Sequence, residues 1–226
     1  MNEEKKSFIR QVFASIVSPK QSFDLIQTED LSASISIIII IAAISALAGY
    51  IYASKMPITI QGELSQRRGF GPPGAYIDPQ TLRNNLMNLQ VLQNVSKTLL
   101  TWIFPAIIIH TIATILVERG SFRRMLTLLG FAHIPLLFQQ IARVIDAFII
   151  KEAILATVIS NRLLGQGLGP MFLANFLAEF NVFGIWRFAL SVIAASKNYH
   201  STYRNTLGIV MSSYGLMALF RLFLPF

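Results

Sequence analysis

The sequence predicts an all-α, polytopic membrane protein: a helical bundle with about five transmembrane helices and an amphipathic interfacial segment at its N-terminus. Two observations carry this prediction. Only 13% of the 226 residues are charged and 54% are hydrophobic, whereas a soluble domain has about 25% charged residues. The charges also leave long gaps, such as residues 31–54 and 98–117, and about 20 apolar residues in a helix cross a bilayer. A soluble enzyme, a secreted domain and a disordered chain are excluded.

Residues 1–30 are polar and of mixed charge, and we interpret them as a cytoplasmic amphipathic segment. Apolar side chains recur at helical spacing over residues 8–17 beside basic ones, which is typical of a helix lying in the membrane interface. Ser18 and Pro19 fit the N-cap and the first position of a second short helix. The segment is therefore predicted to contact lipid or a protein partner.

Residues 31–226 form the predicted transmembrane domain. Its apolar runs predict five spans, at residues 31–54, 98–117, 125–150, 171–196 and 205–224. Residues 55–97 form a non-cytoplasmic connection, which begins as a loop rich in Gly and Pro and continues from Asp78 as an amphipathic helix running into the second span. Residues 151–170 are apolar over too short a stretch to span, and whether they form a helix is left open.

Basic residues indicate the orientation of the chain. Lys and Arg are denser in residues 1–30, 118–124 and 197–205 than in the other connections. By the positive-inside rule, this density favours a cytoplasmic N-terminus, and in a prokaryotic cell the protein would lie in the cell membrane. The net charge of +8 is assigned to lipid phosphates and not to nucleic acid, since no basic run or nucleic-acid motif occurs.

Polar side chains at membrane depth are the candidate functional residues, because their burial there is costly. The candidate intramembrane polar network consists of Asp146, Arg143, Asn175, Glu179, Arg187 and His133. One interpretation is a path for protons or a substrate. We favour a buried structural network that fixes helix register, since the neighbouring spans contain no second buried carboxylate beyond Asp146.

The sequence contains no recognisable catalytic or metal-binding motif. His110 and His133 fall on different spans without a third ligand, whereas catalytic zinc sites have three protein ligands. No nucleophile or metalloprotease motif is present, and the glycines of residues 69–74 lack the spacing of a phosphate-binding loop. With no cysteine in the chain, disulfides and thiolate sites are excluded. We predict no enzyme activity, no metal and no cofactor.

Three sequence elements carry a family resemblance. Residues 18–23, with Pro19, precede the first span, and Trp186 with residues 191–203 precedes the last one. The third element lies within the third span: Gly130-Phe131-Ala132-His133-Ile134-Pro135. The first resembles the proline-containing entry helix of the Yip family, membrane proteins named for interacting with Ypt/Rab GTPases. The others are similar to its closing region and to its Gly-aromatic-Ala-x-x-Pro element.

The resemblance implies a non-enzymatic, five-span protein with Gly130, Phe131, Ala132, Pro135 and Pro19 as family motif residues. Eukaryotic relatives carry an Asp-Leu-Tyr-Gly-Pro-like element before the first span, which the stretch at residues 24–28 lacks. The chain therefore resembles the prokaryotic branch, and a Rab partner is not implied.

Two hypotheses on function follow. The first is a scaffold that organises the membrane or binds a partner through residues 1–30. The alternative is a small transporter or channel using Glu179, Arg187 and Asp146. The oligomeric state is not predicted.

Overall fold

The computed structural model describes residues 3–26, 30–55, 78–116, 120–149 and 180–223, and these ranges contain helices and short turns but no strand. The helices are α1 Glu3–Val17, α2 Pro19–Leu25, α3 Leu31–Ser54, α4 Pro79–Leu116, α5 Phe122–Ala132, α6 Ile134–Ile149, α7 Val182–Tyr199 and α8 Tyr203–Phe223. The predicted all-α class is confirmed.

Three helical segments are long and apolar enough to cross a membrane: Leu31–Ser54, Arg83–Leu116 and Phe122–Ile149. Large apolar side chains such as Ile39, Leu47, Ile107 and Phe148 are exposed on the described helices. A surface of this kind is stable where the surrounding solvent is lipid and not water. The protein is thus a multi-pass membrane protein with a helical bundle fold.

Two other predicted spans are only partly described. Of residues 171–196, the first nine lie outside the described residues, and the rest fall in or just before α7. Residues 205–223 fall in α8, and residue 224 is again outside the described part. A total of five spans therefore stays a prediction.

Side-chain caps set several helix starts. Asp78 Oδ2 accepts from the Thr81 amide at 3.0 Å and begins α4, as the sequence predicts. The Ser121 side chain accepts from the Arg124 amide at the start of α5. Pro19 takes the first position of α2, where a helix needs no N–H donor. The side chains of Asp78 and Ser121 thus accept from amides that have no partner within their own helix.

The third predicted span, residues 125–150, is not one continuous helix. α5 begins at Phe122 and ends at Ala132, and α6 begins at Ile134. Pro135 explains the break, because it has no N–H to continue the α5 ladder but fits the first turn of a new helix. The Leu136 amide donates to the His133 carbonyl at 2.8 Å across the junction.

α3 lies at the centre of the described bundle. It packs against α4, α5 and α6, while α7 packs against α5, α6, α8 and the short α2. The apolar core joins these helices, with Ile38, Ile109, Leu128 and Phe131 among its fully buried side chains. This arrangement brings the middle of α3, α4 and α6 to the first turn of α7, where the polar side chains collect.

Candidate functional site

A polar cavity of about 150 Å³ lies between α3, α4, α6 and α7. Three basic side chains from three helices line it, namely Lys97, Arg143 and Arg187. Amides and hydroxyls form much of the remaining wall. None of the lining residues in the described part of the chain is acidic. Charged side chains inside a membrane bundle usually face a cavity of this kind.

The wall formed by α3 and α4 is internally hydrogen-bonded. Ser45 Oγ donates to Asn94 Oδ1 at 3.4 Å, and Asn94 Nδ2 donates to the Gln90 carbonyl at 2.8 Å. The Thr98 hydroxyl donates to the Asn94 carbonyl of the same helix at 2.9 Å. A Cβ at Gly49 would collide with the Asn94 amide, so α3 approaches α4 closely here because that position is glycine.

The three basic residues differ in burial. Arg187 is only 5% exposed, and its guanidinium lies 5.1 Å from the centre of the Tyr214 ring, a cation–π distance. Arg143 is half-buried and donates to Gln140 Oε1 at 3.1 Å. Lys97 is exposed. The cavity therefore runs from an accessible lysine to an arginine held inside the bundle.

The first turn of α7 also faces the cavity. Asn181 has extended backbone dihedrals, and its side chain accepts from the Gly184 amide at 2.9 Å, so it caps α7. Both residues line the cavity. The N-terminal end of a helix carries partial positive charge, which adds to that of the basic side chains.

The structure brings together part of the predicted polar network. Arg143 and Arg187 line one cavity, but Asp146 is exposed and accepts a hydrogen bond from the Tyr52 hydroxyl. Asn175 and Glu179 lie outside the described residues. Arg187 lies in α7, which begins after Asn181, a residue with extended backbone dihedrals.

The His133 ring lies between main-chain carbonyls of two helices: Nδ1 is 2.6 Å from the Leu129 carbonyl oxygen and Nε2 is 3.0 Å from that of Thr101. A neutral imidazole has one N–H, and in the tautomer with the proton on Nε2 it donates to Thr101. Thr101 precedes Pro105 by four residues within α4, and proline cannot donate to it. The His133 side chain thus reaches the carbonyl that Pro105 deprives of its helical donor. His133 is buried, and its role is to join segments and not to line the cavity.

The residues of the predicted family motif pack in the core or the entry helix. Gly130 lies against α3, where a Cβ would collide with Ser34 Oγ and lie 3.2 Å from Ser34 Cα. Phe131, Ala132 and Pro135 are buried. Pro19, at the start of α2, is half-buried. The motif lets α3 approach α5 and creates the break before α6.

The N-terminal helices are held against the end of the bundle. Phe23 and Ile26 are buried in the core, and Lys197 Nζ lies 2.6 Å from Asp24 Oδ2. Lys20 lies over the Tyr203 ring at 5.3 Å.

Outward-facing residues of α1 and α2 form a surface that we call the N-terminal platform: exposed Phe13, Val17 and Leu25, with exposed Arg10 and Lys20 beside them. The platform combines large apolar side chains with positive charge at one end of the bundle.

Lys97 is a cavity residue that the sequence does not predict. The sequence places Lys97 at the end of the connection 55–97, but α4 is continuous over Pro79–Leu116. At 1.5 Å per residue, Lys97 lies about 27 Å along α4 from Pro79, too deep for a loop. The amphipathic pattern that begins at Asp78 predicts a helix continuous with the second span. This pattern is the sequence signal that Lys97 lies within a helix and not in a loop.

The Yip1 domain family model matches residues 13–224, from α1 through α8. No curated protein and no solved structure gives a significant match to the chain. The matched region contains the glycine and proline that shape the junction of α5 and α6, as well as the whole polar cavity. This coverage of nearly the entire chain, together with the all-helical membrane fold, shows that the protein belongs to the Yip1 domain family.

Proposed function

We propose that this protein is a non-enzymatic membrane-organising scaffold, which contacts the cytoplasmic lipid surface through its N-terminal platform. The observation that carries the proposal is the composition of the platform, with Phe13, Val17 and Leu25 exposed beside Arg10 and Lys20. Apolar side chains of an interfacial helix enter the boundary between headgroups and acyl chains, and basic ones attract anionic lipids.

The attachment of the platform supports a scaffold. Because Phe23 is completely buried and Lys197 pairs with Asp24, α2 is part of the bundle and not a free tail. Forces from the lipid surface would therefore reach the transmembrane helices directly. For the same reason, deletion of residues 1–30 is a poor test, since it would remove core side chains together with the platform.

Surface substitution gives a sharper experiment. We would replace Phe13, Val17 and Leu25 together with serine and reconstitute the full chain with a photoactivatable anionic phospholipid. The wild type should crosslink to lipid within residues 10–25, as mapped by mass spectrometry, and the triple variant should lose most of that crosslinking. The matched control replaces exposed Ile107 of α4 with serine, which should leave crosslinking at the platform unchanged.

The outcomes separate lipid contact from other roles. Unchanged thermal unfolding of the triple variant would show that the loss reflects the surface. A wild type whose platform crosslinks in native membranes to a protein, and not to lipid, would replace lipid contact with partner binding. Absence of both crosslinks would contradict the scaffold proposal.

The polar cavity favours one alternative, a small transporter or channel. Of the residues predicted for it, Glu179, Arg187 and Asp146, Arg187 lines the cavity. A polar cavity that reaches buried Arg187 within an apolar bundle is a feature of substrate and ion pathways. Flux of protons and small anions in liposomes, compared between the wild type and Glu179→Gln, tests this function. Wild-type flux no higher than that of empty liposomes would rule it out.

A further inference from the structure

We propose that the polar cavity binds neutral hydroxyl groups, supplied either by water or by the free hydroxyl of a neutral glycerolipid headgroup. Neither function proposed above is required, because a scaffold could hold such a ligand as well as a transporter could. The residues that carry this assignment are the hydroxyls and amides of the lining, and the charge of its basic side chains does not enter.

The hydroxyls of the cavity wall are the first observation. Ser45, Thr98 and Thr101 line the cavity and are buried. Ser45 donates its hydrogen to Asn94 Oδ1, and Thr98 donates to the Asn94 carbonyl. Thr101 donates to the Thr98 carbonyl at 2.9 Å. A hydroxyl has one hydrogen and two lone pairs, so these oxygens are left as acceptors and suit a ligand that donates.

The amides of the wall supply the complementary donors. Gln140 is buried, and its Oε1 accepts from Arg143 at 3.1 Å, which leaves its amide nitrogen as a donor. Gln139, which is half-buried, also lines the cavity and carries both kinds of group. A wall with acceptors and donors matches a hydroxyl, which donates and accepts at once. An anion can only accept, so it would leave the hydroxyl oxygens of the wall without a donor.

Size and position favour hydroxyl ligands and not an empty space. Cavities that stay empty are apolar, whereas a polar site holds one water in about 10–15 Å³. At about 150 Å³, this cavity has room for several waters or for a glycerol headgroup. Ser45 lies about 13 Å along α3 from Ser54, which puts the cavity within the hydrocarbon layer. Lys97 and Asn181 line the cavity and are exposed, so it opens beside them.

Cysteine substitution tests whether water reaches the cavity, because the chain contains no cysteine. The full chain with Ser45→Cys is reconstituted in liposomes, and a small water-soluble methanethiosulfonate is added on both sides. The controls are Ser213→Cys, buried in α8, and Ser212→Cys, exposed on the same helix, both outside the cavity lining. Only a thiolate reacts, and a thiol in apolar surroundings does not ionise, so Ser45→Cys should react at least about tenfold faster than either control.

Removal of one hydroxyl tests whether the wall holds the ligand. In the Ser45→Cys background, Thr98→Val keeps the shape of the side chain and should slow the reaction about fivefold, the equivalent of one hydrogen bond. Thr127→Val is the matched control. The Thr127 hydroxyl also donates to the carbonyl four residues earlier at 2.9 Å, but it lies outside the cavity lining. This control should leave the rate unchanged.

Added lipid identifies the source of the hydroxyl, since dioctanoylglycerol has a free hydroxyl and trioctanoylglycerol has none. If dioctanoylglycerol alone slows the labelling of Ser45→Cys, the ligand is a lipid hydroxyl, and if neither lipid slows it, the ligand is water.

Three results would overturn the proposal: Ser45→Cys reacting no faster than the two serine controls, equal effects of Thr98→Val and Thr127→Val, or equal slowing by both lipids. The last would mean that the cavity takes acyl chains and not hydroxyl groups.

Discussion

At the scale of single residues, the most informative arrangement is the one that joins Thr101, Pro105 and His133. Pro105 removes the amide that would bond to the Thr101 carbonyl, and His133 Nε2 lies 3.0 Å from that oxygen. Because the bilayer core offers no water to an unpaired carbonyl, a side chain from another helix takes its place. Pro105 and His133, unrelated in sequence, form one structural unit.

This unit predicts energetic coupling between the two residues. His133→Phe should lower the free energy of unfolding in detergent by about 1–3 kcal/mol, because it leaves a buried carbonyl without a donor. In a Pro105→Ala background the helix regains its own donor, so the same substitution should cost clearly less. Chemical denaturation of the two single variants and the double variant measures the coupling.

The control for this cycle is Asn198→Ala. It also removes a side-chain donor to a main-chain carbonyl, since Asn198 Nδ2 donates to Ser121 at 3.1 Å. Its cost should be the same with proline or alanine at position 105. Additive costs for His133→Phe and Pro105→Ala would contradict the shared role of the carbonyl.

At the scale of helices, the fold depends on how closely α3 approaches its neighbours. Gly130 brings α5 against Ser34, and Gly49 brings Asn94 of α4 against α3. Small residues at such crossings allow close helix packing, on which association within membranes depends. α4 is joined to α5 as well, because Trp102 Nε1 donates to the Leu126 carbonyl at 2.9 Å.

Gly130→Ala should therefore destabilise the bundle. The added Cβ collides with Ser34 Oγ and lies 3.2 Å from Ser34 Cα, so the two helices must separate. We expect a loss of about 1–3 kcal/mol in unfolding free energy. Gly208→Ala is the matched control, because no atom lies within 4 Å of a Cβ there, and alanine should be neutral or slightly stabilising. Equal stability of the two variants would contradict the packing argument.

At the scale of the whole molecule, one end of the bundle collects much of the described basic charge. α2 packs on α7, the Asn198 side chain donates to Ser121, and Lys20 lies over Tyr203, so these segments share that end. Exposed basic side chains there include Arg10, Arg123 and Arg204. A concentration of this kind favours the cytoplasmic side, as the sequence predicts.

The absence of cysteine allows a direct test of orientation. Gln21 in α2 and Gln80 in α4 are both exposed, and they belong to opposite ends of the described bundle. In intact cells, a membrane-impermeant maleimide should label Gln80→Cys at once but label Gln21→Cys only after permeabilisation. The reverse pattern would place the N-terminus outside.

Much of the architecture could be predicted, because a bilayer imposes strict rules on sequence. The charge-free run at residues 31–54 predicts α3 with the bounds observed, and Asp78 marks the start of α4. The cavity could not be predicted, since helix packing decides which charges meet. Asp146 binds Tyr52, 94 positions away, and the position of Lys97 depends on α4 extending beyond its apolar part.

The shared carbonyl of Thr101 also bears on how the protein is made. During synthesis, Thr101 leaves the ribosome 32 residues ahead of His133, so the carbonyl that Pro105 leaves without a helical donor has no partner when this part of α4 first reaches the insertion machinery. Entering lipid alone would expose that carbonyl to hydrocarbon at considerable cost. The second and third transmembrane segments should thus leave the translocon together, as a preassembled hairpin.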